Sequence, residues 1–111
     1  IKENNPKREF YVGENKDIII KDCGKINLDS NELITFITDD KKEYDVVRKD
    51  WGFYATPSMN KRLVDYRFKT ALVKNKNGMY YIMIVEKDKI DSFNKYLDEE
   101  NNQIIQWLDK L

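Results

Sequence analysis

Phe68-Lys69-Thr70-Ala71-Leu72-Val73 and Met79-Tyr80-Tyr81-Ile82-Met83-Ile84-Val85-Glu86, joined through Asn75-Lys76-Asn77-Gly78, decide the fold of this chain. The two outer runs are rich in β-prone residues and the link is a strong turn, so the spacing predicts an antiparallel hairpin. In the second run Met79, Tyr81, Met83 and Val85 fall on one face and Tyr80, Ile82 and Ile84 on the other. Apolar residues on both faces predict a central strand covered on two sides.

Working outward from that hairpin, Thr56-Pro57-Ser58 precedes Met59, Leu63 and Tyr66 at helical spacing. Thr is a favoured N-cap and Pro a favoured first helical residue, which predicts a helix from Pro57 to Tyr66. On the other side, Asp88 stands as the cap of a second helix carrying Ile90, Phe93 and Leu97 on one face. The run Gln103 to Leu108 follows an Asn-Asn break and reads as a closing strand or a helix continuation, the β-branched pair Ile104-Ile105 favouring the strand.

Nearer the N-terminus, Asp17 to Lys21 is a short strand stopped by a turn at Asp22-Cys23-Gly24, after which Lys25 to Leu28 resumes. Leu33 to Thr38 and Tyr44 to Arg48 form a further hairpin across Asp39-Asp40-Lys41-Lys42. Residues 1–16 read as a mobile or docking arm, with Phe10-Tyr11-Val12 able to add an edge strand, and 17–111 as one α+β domain. The expected fold is therefore α+β, a mostly antiparallel sheet of about five to six strands with two helices, in the order β-β-β-α-β-β-α-(β).

Composition narrows the function. The 111 residues hold 20 basic and 20 acidic side chains, a formal net charge of zero, which argues against a nucleic-acid binder and against a polybasic membrane anchor. No apolar run is long enough to span a bilayer. One cysteine, Cys23, cannot form an intramolecular disulfide, and no leader is visible, so a reducing, cytoplasmic setting is expected, although the chain opens at Ile1 rather than Met. Histidine is absent, which removes Ser-His and Cys-His nucleophilic pairs and the usual Cys/His zinc site, leaving only carboxylate, Lys or Tyr chemistry. No catalytic residue, metal ligand or cofactor motif is assigned. Cys23 has only Lys21 and Lys25 as sequence-near cations and is read as structural. The acidic runs at Asp39-Asp40 and Asp98 to Glu100 lack the spacing of a calcium loop.

Suspicion of a site falls on Trp51 to Lys76. Between Thr56 and Lys76 six basic residues face a single acidic one, Asp65. A helix start at Pro57 presents free N–H groups to an anion, with Asn60, Lys61 and Arg62 in its first turns and Trp51 or Tyr54 as a flat wall beside Gly52. The candidate ligand-binding residues are thus Trp51, Tyr54, Ser58, Asn60, Lys61 and Arg62. Against this stands the plainer account, in which Trp51 and Phe53 are core, Thr56-Pro57 is an ordinary cap and the cations are solvated. The stretch WGFYATPSMNKRL is similar to small bacterial domains encoded among surface-polysaccharide genes, a resemblance that implies no mechanism and transfers no residue.

The leading expectation is a non-catalytic binding or accessory domain for an anionic small molecule, sugar- or nucleotide-like, or for a partner protein. An enzyme using carboxylate, Lys or Tyr groups on a sugar or nucleotide-sugar is the first alternative. A protein–protein module acting through the N-terminal arm and Trp107 is the second.

Overall fold

In a computed structural model describing residues 1–111, the chain runs β1 (Lys2–Val12), β2 (Ile18–Lys25), β3 (Leu33–Ile37), β4 (Glu43–Lys49), β5 (Gly52–Ala55), α1 (Arg62–Asp65), β6 (Phe68–Lys74), β7 (Tyr80–Glu86), α2 (Ile90–Glu99) and β8 (Gln103–Trp107). The class is α+β with antiparallel pairing throughout, but the eight strands divide into three sheets, β1-β2, β3-β4-β5 and β7-β6-β8. Five strands, not three, precede the first helix, which corrects the expected count and order.

The deciding hairpin forms as its sequence requires. Phe68 lies opposite Glu86 and Lys74 opposite Tyr80. The Asn75 side-chain oxygen accepts the N–H groups of Asn77 (3.0 Å) and Met79 (2.9 Å), and Gly78 takes the positive φ of 85° that closes the turn. The central strand, however, is β6 and not β7, because β8 pairs along the free edge of β6. Phe68, Thr70, Ala71 and Val73 of β6 are buried, whereas Ile82 of the edge strand β7 remains 56% exposed. Apolar residues on both faces of β7 thus mark a half-covered edge: Met83 packs on the core beneath α2, and the opposite face is only partly roofed.

The two helices serve opposite faces of this sheet. Leu97 of α2 packs with Ala71 and Val73, joined by Phe93, Ile104, Met83 and Trp107. Trp107 is therefore part of the core, tilted against Phe93 at 6.1 Å. Asp88 does not cap α2; it lies in a short 3-10 turn, Lys87–Lys89, and accepts Arg67 Nε at 3.1 Å. The helix ends where Asn101 adopts φ 55°, with Asn102 N–H returning to the Leu97 carbonyl (2.8 Å) and Asn101 N–H to that of Asp98 (3.3 Å). That paired closure stops the helix and turns the chain into β8.

The first helix is shorter and later than its sequence predicts. Thr56 does not cap it: its N–H bonds the Asp45 carbonyl (3.0 Å) and its hydroxyl the Asp45 carboxylate (3.2 Å), so it prolongs the pairing of β5 with β4. The helical turn opens only at Arg62, whose N–H is taken by Ser58 Oγ at 2.9 Å. Leu63, 1% exposed, is the residue this turn delivers to the interior.

At Cys23-Gly24 the expected turn is absent and β2 runs straight through to Lys25, while 26–28 does not resume as a strand. Gly24 holds φ 146°, and a Cβ there would stand 2.1 Å from the Lys2 carbonyl oxygen. Glycine lets β1 come this close. Asn4 to Lys7 bulge out of register between the Glu3 and Arg8 pairings, which accommodates Pro6, a residue with no N–H to give the ladder.

Little of the chain is enclosed. Ten of 111 residues are buried, and the accessible surface of 8489 Å² exceeds by about 2,000 Å² that expected for a compact monomer of this mass. The radius of gyration, 15.6 Å, compares with about 13 Å for a compact chain of this length. No helix is long and apolar enough to cross a membrane.

Candidate functional site

The six sequence-selected residues are not brought to one point. Trp51 sits in the two-residue loop between β4 and β5, 67% exposed, and stacks on Tyr54 with ring centroids 6.0 Å apart and planes inclined by 16°. Trp51 and Phe53 are both exposed, so the plainer account, which made these two residues core, fails for them. Arg48 lies over the neighbouring Phe53 ring at 5.5 Å; because side chains alternate along β5, this cation–ring pair and the Trp51–Tyr54 stack stand on opposite faces of the strand.

The basic residues are engaged elsewhere. Arg62 Nη2 meets Asp45 Oδ2 at 2.6 Å and Nη1 donates to Thr56 Oγ1 at 3.3 Å. Asp45 is buried; burial raises its pKa, but hydrogen bonds from Arg62, Thr35 and Thr56 together with the Arg62 charge more than offset this and hold the carboxyl below the usual carboxylate range. Lys61 pairs with Asp65 one turn on, at 3.1 Å on an open surface. Asn60 is exposed in the preceding turn. Since α1 begins at Arg62 and spans four residues, it provides no row of free N–H groups at Pro57.

Tyr54 and Ser58 instead share the wall of a cavity of about 470 Å³ between β5, the 56–61 loop and the β6-β7 sheet. Met59 and Leu63 close it from the loop side and Ile82 and Ile84 from the sheet side, while Tyr44 contributes a phenol. No carboxylate, amine or guanidinium lines it. Burial pushes the Tyr44 hydroxyl above the usual phenol range, so it stays neutral at physiological pH. The floor holds Thr70, fully buried, whose Oγ1 has no hydrogen-bond partner. An orphaned hydroxyl of this kind costs about 1–3 kcal/mol relative to a satisfied one.

Thr70 was not among the residues singled out by sequence. The signal that could have found it is the one hydroxyl in the run Phe68 to Val73, a strand whose other buried side chains, Phe68, Ala71 and Val73, are all apolar. Cys23 is exposed on β2, its Sγ 3.7 Å from the Lys21 carbonyl. No three Cys, Asp or Glu side chains are grouped so as to hold a metal ion.

Comparison with known proteins finds no family model, no curated protein and no solved structure that matches this chain.

Proposed function

We propose that this protein is a non-catalytic interaction module that docks on a partner protein through the β1-β2 hairpin. One observation carries this reading: β1 and β2 pair with each other and with no other strand, yet hold apolar side chains toward solvent on both faces. By register, Phe10 opposes Ile20 on one face and Tyr11 opposes Ile19 on the other. All four are exposed. A lone two-stranded hairpin is marginal in water and needs a third strand or a packed surface to be stable on its own terms. The polar links from the hairpin to the remaining chain converge on Glu14 in its turn, which accepts Lys76 Nζ (2.8 Å) and donates its N–H to Glu100 (3.0 Å). The ribbon is thereby held at one end with its length free for a partner, and the surplus of exposed surface is larger than the roughly 800 Å² that one side of a standard interface buries. The partner surface is apolar and flat, since the ribbon offers ring and branched side chains rather than a cluster of one charge.

Site-directed photo-crosslinking tests this. A photoreactive phenylalanine analogue at Tyr11 or Ile19, in cells expressing the chain, is expected to give one discrete adduct. The same group at Asn94, exposed on α2, is expected to give none. Absence of an adduct at the hairpin, or equal capture at Asn94, overturns the proposal.

An anionic ligand at the Trp51–Tyr54 stack is the second reading, supported by the exposure of Trp51 and by the stacking surface the two rings form. It is the weaker one, because Arg62 is committed to Asp45.

A further inference from the structure

We infer that the cavity floored by Thr70 is a binding site for a small uncharged molecule with an apolar body and one hydroxyl or carbonyl oxygen. This does not rest on the docking role of the hairpin, which lies elsewhere on the fold.

Register fixes the geometry of the floor. Thr70 lies opposite Ile84 across the β6-β7 ladder, and Leu72 opposite Ile82, so the side chains of Thr70, Ile84 and Ile82 emerge on the same face of the sheet. That face is the one α1 covers through Leu63, not the one packed by α2. A volume of about 470 Å³ falls within the range of small-molecule sites. Its lining sets the ligand's chemistry. Without a charged group in the wall, a carboxylate or phosphate would lose its hydration with nothing to replace it, so anions and cations are excluded. The aliphatic and aromatic walls, Ile82, Ile84, Leu63 and Tyr54, favour an apolar body the size of one ring.

Among the hydroxyls of the wall, Thr70 Oγ1 is the buried one left without a partner. It is enclosed and unpartnered, able to donate to a carbonyl or hydroxyl oxygen or to accept from a hydroxyl. Reaching it requires one wall side chain to swing aside. Met59 is the suitable gate: it is unbranched and 37% exposed at the rim. The site thus discriminates by a single hydrogen bond at the bottom of an apolar pocket, an arrangement that penalises an isostere lacking the oxygen.

The test is an NMR titration of the chain with p-cresol, toluene and benzoate. With p-cresol, shifts are expected to cluster at Thr70, Ile84, Leu63 and Tyr54. Toluene, the same shape without oxygen, is expected to bind about tenfold more weakly, the factor that one net hydrogen bond supplies. Benzoate is expected to leave these signals unmoved. Thr70→Val keeps the shape and removes the hydroxyl; it should abolish the preference for p-cresol and raise the unfolding midpoint. Met59→Trp, at an exposed position that does not threaten the fold, should obstruct the entrance and weaken both neutral probes. Shifts elsewhere, no response at low millimolar p-cresol, equal affinity for p-cresol and toluene, or a lower midpoint in Thr70→Val would each overturn the assignment.

Discussion

Arg62 and Asp45, seventeen positions apart, meet at 2.6 Å between Nη2 and Oδ2, and this contact fastens the loop after β5 to the middle sheet. Thr56 completes the arrangement by bonding both partners through its hydroxyl. The loop so held is the one that carries Met59 and Leu63 over the β6-β7 sheet and closes the cavity. Arg62 is thus a fastener, and its removal is expected to loosen the cavity wall as well as lower stability. Arg62→Ala should reduce the unfolding midpoint, and Arg62→Lys should recover only part of it, because a single ammonium cannot reach Asp45 and Thr56 in the fixed fork that a guanidinium offers. An unchanged midpoint in Arg62→Ala would show that the contact is merely a surface pair.

The same contact predicts a pH dependence. The Asp45 carboxyl is held below its ordinary range in the folded chain, so its contribution to stability is present above the unfolded pKa, about 3.9, and is lost as pH falls through the folded value. Asp22, Asp88 and Glu86 are lowered as well, through Arg8, Arg67 and Lys42 respectively, so the useful quantity is a difference. Wild type should lose more stability than Asp45→Asn between pH 5 and 2, although Asp45→Asn starts lower at neutral pH. Denaturant midpoints across that window check it; parallel curves for the two proteins would contradict the assignment.

Leu63 is the side chain through which α1 reaches the interior. Leu63→Ala removes the enclosed isopropyl end of the side chain at a site whose neighbours already border a cavity, so collapse cannot easily fill the space. The expected loss is about 2–5 kcal/mol, measured from urea unfolding at constant slope. Val64, exposed beside it, provides the control: Val64→Ala should change stability by roughly 0.5 kcal/mol or less.

Gly24 tests the hairpin. An L side chain is strained at φ 146°, and the added Cβ would strike the Lys2 carbonyl. Gly24→Ala is expected to part β1 from β2 between Lys2 and Glu3 while the ladder from Arg8 to Val12 survives beyond the bulge. Hydrogen exchange should show faster amides near residues 2–3 and 24–25, with protection in β6 unchanged. If the proposed docking uses the whole ribbon, the crosslink at Tyr11 should persist while any at Lys2 weakens.

How far the sequence discloses this fold depends on what each signal measures. The Asn75 to Gly78 turn and the pairing around it are legible because turn chemistry is local: Asn75 satisfies the amides of its own loop. Edge and centre are not local. Whether β6 or β7 lies in the middle depends on β8 returning from thirty residues away, and two apolar faces on β7 do not reveal that one of them is only partly roofed. Thr56-Pro57 carries a sound capping pattern, overridden because Asp45 offers Thr56 a tertiary partner. The short β5 hides because Gly52 to Ala55 has only four residues and reads as an aromatic cluster. At the candidate site, the residue types pointed to Tyr54 and Ser58, which do line a cavity; the charge pattern misled because ion pairs such as Arg62–Asp45 join residues far apart in the chain.

The two tryptophans offer a direct optical check on that partition. Trp51 projects from the β4-β5 loop and stacks on Tyr54, whereas Trp107 packs on Phe93 against the core, with Lys69 Nζ 4.1 Å above its ring. Trp107→Phe leaves Trp51 as sole tryptophan emitter, and its fluorescence should be red-shifted and readily quenched by acrylamide. Trp51→Phe leaves Trp107, whose emission should be bluer and less accessible. The energetic contrast should run the same way: Trp51→Ala costs roughly 0.5 kcal/mol or less, as for an open surface residue, and Trp107→Ala about 2–3 kcal/mol, below the full range for an enclosed tryptophan because its burial is partial. Addition of a partner or ligand that covers the Trp51–Tyr54 stack should blue-shift Trp51 alone, while p-cresol, entering behind Tyr54, should perturb its stacking without shielding it from acrylamide. Equal quenching of the two tryptophans in the free chain would mean that β8 does not close on β6 as described, and that Trp107 is an exposed anchor.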